Sequence, residues 1–204
     1  MSNSLPCTPE NSIFIAVDTK RADYWKAVIF GAEGTPYAHG AFQYDIFFPD
    51  SYPNDPPKVN LMTTGGGSIR FNPNLYNCGY VCLSLLGTWG HDWDGKVSTM
   101  IQVLISIQAI VMSNEIYFNE PGWTNQMGTE YGENMNNGYK NLVRYANLKY
   151  CIVDQLRNPS FGFEDVIRRN FYLKKDMILK DVDEWIQLAK TEAATYCHQN
   201  TFDS

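Results

Sequence analysis

From Thr63 to Asp94 the chain loses every regular hydrophobic period, yet segments on both sides carry strong ones. The stretch holds Gly65-Gly66-Gly67, Pro73, Gly79 and the tryptophans Trp89 and Trp93. An irregular run of this length inside a compact domain is uncommon and usually functional. The fold must therefore be one whose elements hold a long loop in place. The triple glycine has no Gly-Lys-Ser/Thr after it, so a flexible loop is favoured over a phosphate cradle.

Before the irregular run, Ile13–Val17, Tyr24–Phe30 and Ala41–Phe48 are rich in β-branched and aromatic residues. Turn signals at Gly31–Gly34 with Pro36, and at Pro49-Asp50-Ser51, separate them. Lys58–Met62 follows Pro56-Pro57 and reads as a fourth strand. An antiparallel four-stranded meander is the simplest arrangement. After the run, Val97–Met112 is apolar on nearly every side and predicts a buried helix, with Ser98 as its cap. Polar residues interrupt it, so a core helix is favoured over a membrane span.

Glu115–Asn137 reads as a long polar loop. Leu142, Tyr145, Ala146, Lys149, Ile152, Val153 and Leu156 follow helical spacing until Asn158-Pro159. A short helix is predicted over Phe163–Phe171 and a last one from Asp176 to about Ala194. Its stripe Ile178, Val182, Trp185, Ile186 and Ala189 calls for packing against the rest. The class is α+β, sheet first and helices after. The expected division is an irregular lead-in over 1–12, a core over 13–135 and a helical extension packed on it over 136–204.

The 204 residues carry a net charge of −6, which argues against a generally basic nucleic-acid-binding surface. Five cysteines (Cys7, Cys78, Cys82, Cys151 and Cys197) form an odd set, better suited to reduced thiols in the cytoplasm than to a disulfide framework. Cys78 and Cys82 have no second ligand pair at metal-site spacing. Cys151 sits in a predicted helix and reads as core, and Cys197-His198 as incidental. A Cys82–His91 hydrolase pair is compatible with spacing but has no supporting signature.

The irregular run contains Asn72-Pro73-Asn74 and, eight residues after Asn74, Cys82 within Gly79-Tyr80-Val81-Cys82-Leu83. Upstream stand Tyr37–Gly40, Phe48-Pro49-Asp50-Ser51-Tyr52-Pro53 and Pro56-Pro57; downstream stands Trp93. In this order and spacing the chain resembles the ubiquitin-conjugating enzymes, over roughly Ile13 to Pro121. Asn72 departs from the family's histidine, but an amide can make some of the same loop bonds. The tail Leu156–Ser160 with Phe171–Lys174 extends the resemblance toward the giant hybrid conjugating enzyme–ligases of the inhibitor-of-apoptosis type.

The resemblance implies that Cys82 carries the modifier as a thioester. Asn74 is then the candidate donor to the oxyanion formed when lysine attacks; its plainer role is to hold the loop by bonding backbone. Glu120 is the candidate acid that takes the lysine's proton; its plainer role is a solvated loop carboxylate. No cofactor or metal is implied. The implied partners are ubiquitin, its activating enzyme, protein substrates and parts of a larger parent chain, with no membrane span. The family's basic N-terminal helix has no counterpart before Ile13, and Asn54 and Gly95-Lys96 stand where ordinary members offer ligases apolar contacts. A non-catalytic binding module of the same fold is the competing reading.

Overall fold

The computed structural model describes residues 5–8, 11–88 and 93–200, with side chains described through Thr191. Four strands, β1 (Ile13–Asp18), β2 (Arg21–Phe30), β3 (Ala41–Phe47) and β4 (Lys58–Leu61), pair antiparallel in the order β1-β2-β3-β4. The meander expected from the turn signals is therefore the observed sheet. Register places Ile13 opposite Ile29, Ile29 opposite Phe42 and Tyr44 opposite Leu61. One face thus carries Ile13, Ala27, Ile29, Phe42, Tyr44, Ile46 and Leu61 into the main core.

Helix α1 (Met100–Ser106) runs on through a π-helical turn, Ile107–Val111, and lays Val103, Leu104 and Ile107 into that core. Its cap is Thr99, not Ser98. The Thr99 hydroxyl accepts from the Gln102 backbone N–H, while the Thr99 backbone N–H donates to Gln102 Oε1. Such a box needs a Gln or Glu three residues on, which Thr99 has and Ser98 lacks. Ser98 instead accepts from the Asp94 amide.

The polar stretch expected to be loop becomes helical at Glu130. Helix α2 (Glu130–Ala146) starts on a Thr99-like cap, Thr129, with Glu130 and Glu133 in its first turn. Its buried positions begin with Gly132 and Asn136, so hydrophobic spacing cannot reveal the first turns. It continues through a π-helical segment, Asn147–Val153, to a final turn, α3 (Asp154–Arg157), and stops before Pro159. The two separate helices expected beyond are one, α4 (Glu164–Asn200). No Gly or Pro lies between Phe171 and Asp176 to break it.

The outer face of the sheet is covered too. Val28, Phe30 and Ala41 pack with Ile152, Phe163, Ile167, Phe171 and Ile178. Burial on both faces explains why Ala27-Val28-Ile29-Phe30 reads as an unbroken apolar run. The expected stripe on α4 divides: Ile178 is buried and Val182 packs beside it, whereas Ile186 is 44% exposed and Ala189 is exposed. The helix has outrun the sheet by then. Two polar residues fasten the helices to the turn at Pro36–Gly40. Asn147 donates to the carbonyls of Pro36 and Ala38 at 3.1 and 2.9 Å. Asp181 meets the buried His39 Nε2 at 2.8 Å.

Candidate active site

The irregular run is held by its own backbone. Leu75 N–H donates to Asn72, Tyr76 N–H to Tyr80 and Gly79 N–H to Tyr76, which folds residues 72–81 back on themselves. Leu75 and Val81 pair in an isolated bridge and both enter the core, so the loop is pegged on either side of its turn. Gly79 closes the turn at φ +92°, where a Cβ would lie 2.6 Å from the Leu61 carbonyl oxygen. Only glycine fits that approach.

Cys82 follows directly. Its amide donates to the Asn74 carbonyl at 2.8 Å, and the Asn74 side-chain amide donates to the Cys82 carbonyl at 2.8 Å. The eight-residue spacing is thus a reciprocal pair that sets the cysteine against the asparagine. In this state the Asn74 amide serves the loop. Cys82 is only 4% exposed, less open than a glycine-flanked loop cysteine suggests, while Cys78 is exposed. Cys151 lies fully buried in the core, and burial pushes its thiol well above the ordinary value.

Asn72 is fully buried and bonded on every side. Its amide donates to the Val111 carbonyl at 2.8 Å and to the Tyr37 hydroxyl at 3.2 Å. Its carbonyl accepts from the Asn74 amide at 2.9 Å and from Asn119 at 3.4 Å. The residue that departs from the family's histidine therefore ties the loop to the end of α1.

Glu120 comes from the far side of α1 and reaches this loop through Arg70. The guanidinium sits 3.3 Å from the Glu120 carboxylate and donates to the Pro73 carbonyl at 2.6 Å. It also lies over the Tyr76 ring at 4.2 Å. Tyr139 donates to the Arg70 carbonyl at 3.0 Å; burial pushes its phenol up to about 12. Arg70, Asn119 and Tyr139 were not legible as site residues. Their partners lie 50, 47 and 69 positions away, and only the fold joins them.

Among the described residues no group of three or more His, Cys, Asp or Glu could hold a metal. No described helix is long and apolar enough to cross a membrane. His91 lies outside the described residues, as do the side chains of Cys197 and His198.

Residues 3–147 match the family model described as "Ubiquitin-conjugating enzyme". The chain is 45% identical over 190 residues to the human dual E2 ubiquitin-conjugating enzyme/E3 ubiquitin-protein ligase BIRC6, covering 91% of the chain but 4% of that protein. It is 45% identical to the probable ubiquitin-conjugating enzyme protein 17 of Caenorhabditis elegans, over 91% of the chain and 26% of that protein. A putative ubiquitin-conjugating enzyme E2 38 of Arabidopsis thaliana is also 45% identical, over 88% of the chain and 54% of its own length. The chain thus spans from a small fraction to about half of these relatives. The E2 domain of a Toxoplasma gondii ubiquitin-conjugating enzyme superposes with a TM-score of 0.50 at 25% identity, covering 68% of this chain and 89% of that one. With the four-stranded meander, the crossing helix and the paired Asn74 and Cys82 in place, these matches establish that the chain belongs to the ubiquitin-conjugating enzyme family.

Proposed function

We propose that Cys82 accepts ubiquitin from the ubiquitin-activating enzyme as a thioester and passes it to a substrate lysine. The reciprocal bonding of Asn74 and Cys82 on the pegged loop is the observation that carries this reading. In loading, the Cys82 thiolate attacks the carbonyl of the activating enzyme's ubiquitin thioester, and that enzyme's thiolate leaves. In discharge, a lysine amine attacks the Cys82 thioester. Asn74, released from the Cys82 carbonyl, donates to the oxyanion; Glu120 takes the amine's proton; the Cys82 thiolate departs.

Residues 13–135 act in this reading as the reacting core and 136–204 as a helical extension packed on it, which adds Val143, Ala146 and Cys151 to the main core and covers the outer face of the sheet from Ile152 to Ile178. The free thiols among the described cysteines suit a reducing compartment, the cytoplasm. The dual E2/E3 name of one relative supports a combined conjugating and ligase role for a longer parent chain. The burial of Cys82 favours one second reading, a binding module of the same fold that takes no thioester.

Incubation with activating enzyme, ATP and ubiquitin, followed by a non-reducing gel, separates the two. A thiol-sensitive adduct is expected for the chain and for Cys78→Ser, and none for Cys82→Ala. An adduct that survives Cys82→Ala overturns the assignment of Cys82.

A further inference from the structure

Helix α2 buries one face and leaves a second apolar stripe in water. Tyr131, Met135, Leu142 and Tyr145 are between 42% and 62% exposed. At roughly 100° per residue they fall within an arc of about 80°, together with Gly138, beside which nothing stands. The spacing of four, then three, then four, then three is the narrow seam on which a second amphipathic segment packs. It runs for about 21 Å.

Helix α2 meets the candidate site at Asn136, which accepts from the Tyr117 amide, and at Tyr139, which donates to the Arg70 carbonyl. The turn Glu120–Trp123 is closed by the Trp123 amide on the Glu120 carbonyl. Trp123 is exposed and stacked on Tyr117 at 4.4 Å. The two ends differ in charge. From Val97 to Tyr139 there is no Lys, Arg or His, while Glu115, Glu120, Glu130 and Glu133 are present. At the other end Lys149 lies over the rings of Tyr145 and Tyr150, at 6.0 and 4.8 Å.

Resting on the thioester reading above, we propose that this stripe docks the acceptor substrate. The occupant is an amphipathic segment whose apolar face lies on Met135 and Leu142. Its basic, lysine-bearing end lies over Trp123 and Glu120, and its acidic end meets Lys149. Arg70 holds Glu120, so the acidic field at this end comes from Glu130 and Glu133 in the first turn of α2; it attracts a cationic lysine and its basic neighbours, and repels an acidic end placed there. Docking in one polarity then selects which lysine of the segment reacts.

The test uses short fluorescein-labelled amphipathic peptides with arginines at one end, glutamates at the other and leucines along one face. In one peptide the single lysine stands among the arginines; in a second it stands among the glutamates; in a third serines replace the leucines. Fluorescence anisotropy with the unloaded chain should show the first two binding alike and the third not binding. Met135→Ser with Leu142→Ser should weaken binding about tenfold or more. With ubiquitin-loaded chain, transfer to the first peptide should exceed transfer to the second about tenfold, while transfer to free lysine stays unchanged in the double variant.

Equal binding of leucine and serine peptides, or of variant and parent chain, overturns the proposal. So does equal transfer to both lysine positions. A dimer in sedimentation that Met135→Ser dissolves would also overturn it, by assigning the stripe to a second copy. If no thioester forms, the thioester reading fails, and the anisotropy measurements alone then decide whether the stripe binds such a segment.

Discussion

Asn72 carries more of the site's geometry than its place beside the cysteine motif suggests. It satisfies the Val111 carbonyl and the Asn74 amide from a fully buried position. Asn72→Ala leaves both without a partner and should cost on the order of 2–4 kcal/mol, read as a shift in the denaturation midpoint. Arg70 matters in a different way. It links Glu120 to the carbonyl of Pro73, next to Asn74. Arg70→Ala should leave the melting curve and Cys82 loading close to normal but slow discharge to free lysine about tenfold. Glu120→Ala should do the same, and the double variant should be no slower than either, because the two residues act as a unit. Additive losses would separate Arg70 from Glu120. The Asn74–Cys82 pair was legible because both partners sit in one short loop. The Arg70–Glu120 pair was not, because no local period reports a contact between two distant loops.

At the level of elements, legibility followed the hydrophobic pattern. The strands and α1 announce themselves by apolar runs, and each was found close to where the pattern put it. The start of α2 did not, since its first buried contacts use Gly132 and Asn136. The single helix α4 reads as two because the buried position between Phe171 and Ile178 is a lysine, Lys174, which hides the stripe from a hydrophobic pattern; only part of the helix touches the sheet. That division has a measurable consequence. Phe171 packs edge-on against Phe30 at 6.2 Å within the outer cluster, so Phe171→Ala should cost about 3–5 kcal/mol. Ile186 lies past the sheet, so Ile186→Ser should change stability by no more than about 0.5 kcal/mol. Thermal melting of both variants checks the pair. Equal losses would mean that the distal half of α4 also packs on the chain.

Two properties belong to the whole molecule. The first is its response to alkali. Tyr37 and Tyr44 are fully buried and their phenols are pushed well up from the ordinary value of 10.0; Tyr139 is pushed up to about 12. Below about pH 10 folded and unfolded chains alike hold the protons of these three tyrosines. Above it the unfolded chain releases them and the folded chain does not, so stability must fall as pH rises from 10 toward 12. Tyr139→Phe should flatten part of that slope. The second is the face formed by the loops before β4 and before α1. The Trp93 indole donates to the Pro53 carbonyl at 2.7 Å, and a Cβ on Gly95 would lie 2.2 Å from the same oxygen. The two loops are therefore closed on each other, with Gly95 required by the approach, and Asn54 faces solvent. Nothing apolar projects from Asn54, Gly95 or Lys96 where ordinary members of the family anchor ligases of the RING type. A missing anchor of that kind can be worth a few kcal/mol of affinity. Generic RING domains added to ubiquitin-loaded chain, with free lysine as acceptor, should therefore leave the discharge rate within about twofold of the unassisted rate. Acceleration by several of them would place ligase docking on another face of the molecule. Asn54→Phe supplies the absent side chain without touching Gly95 and, if the missing anchor is the cause, should restore part of the response.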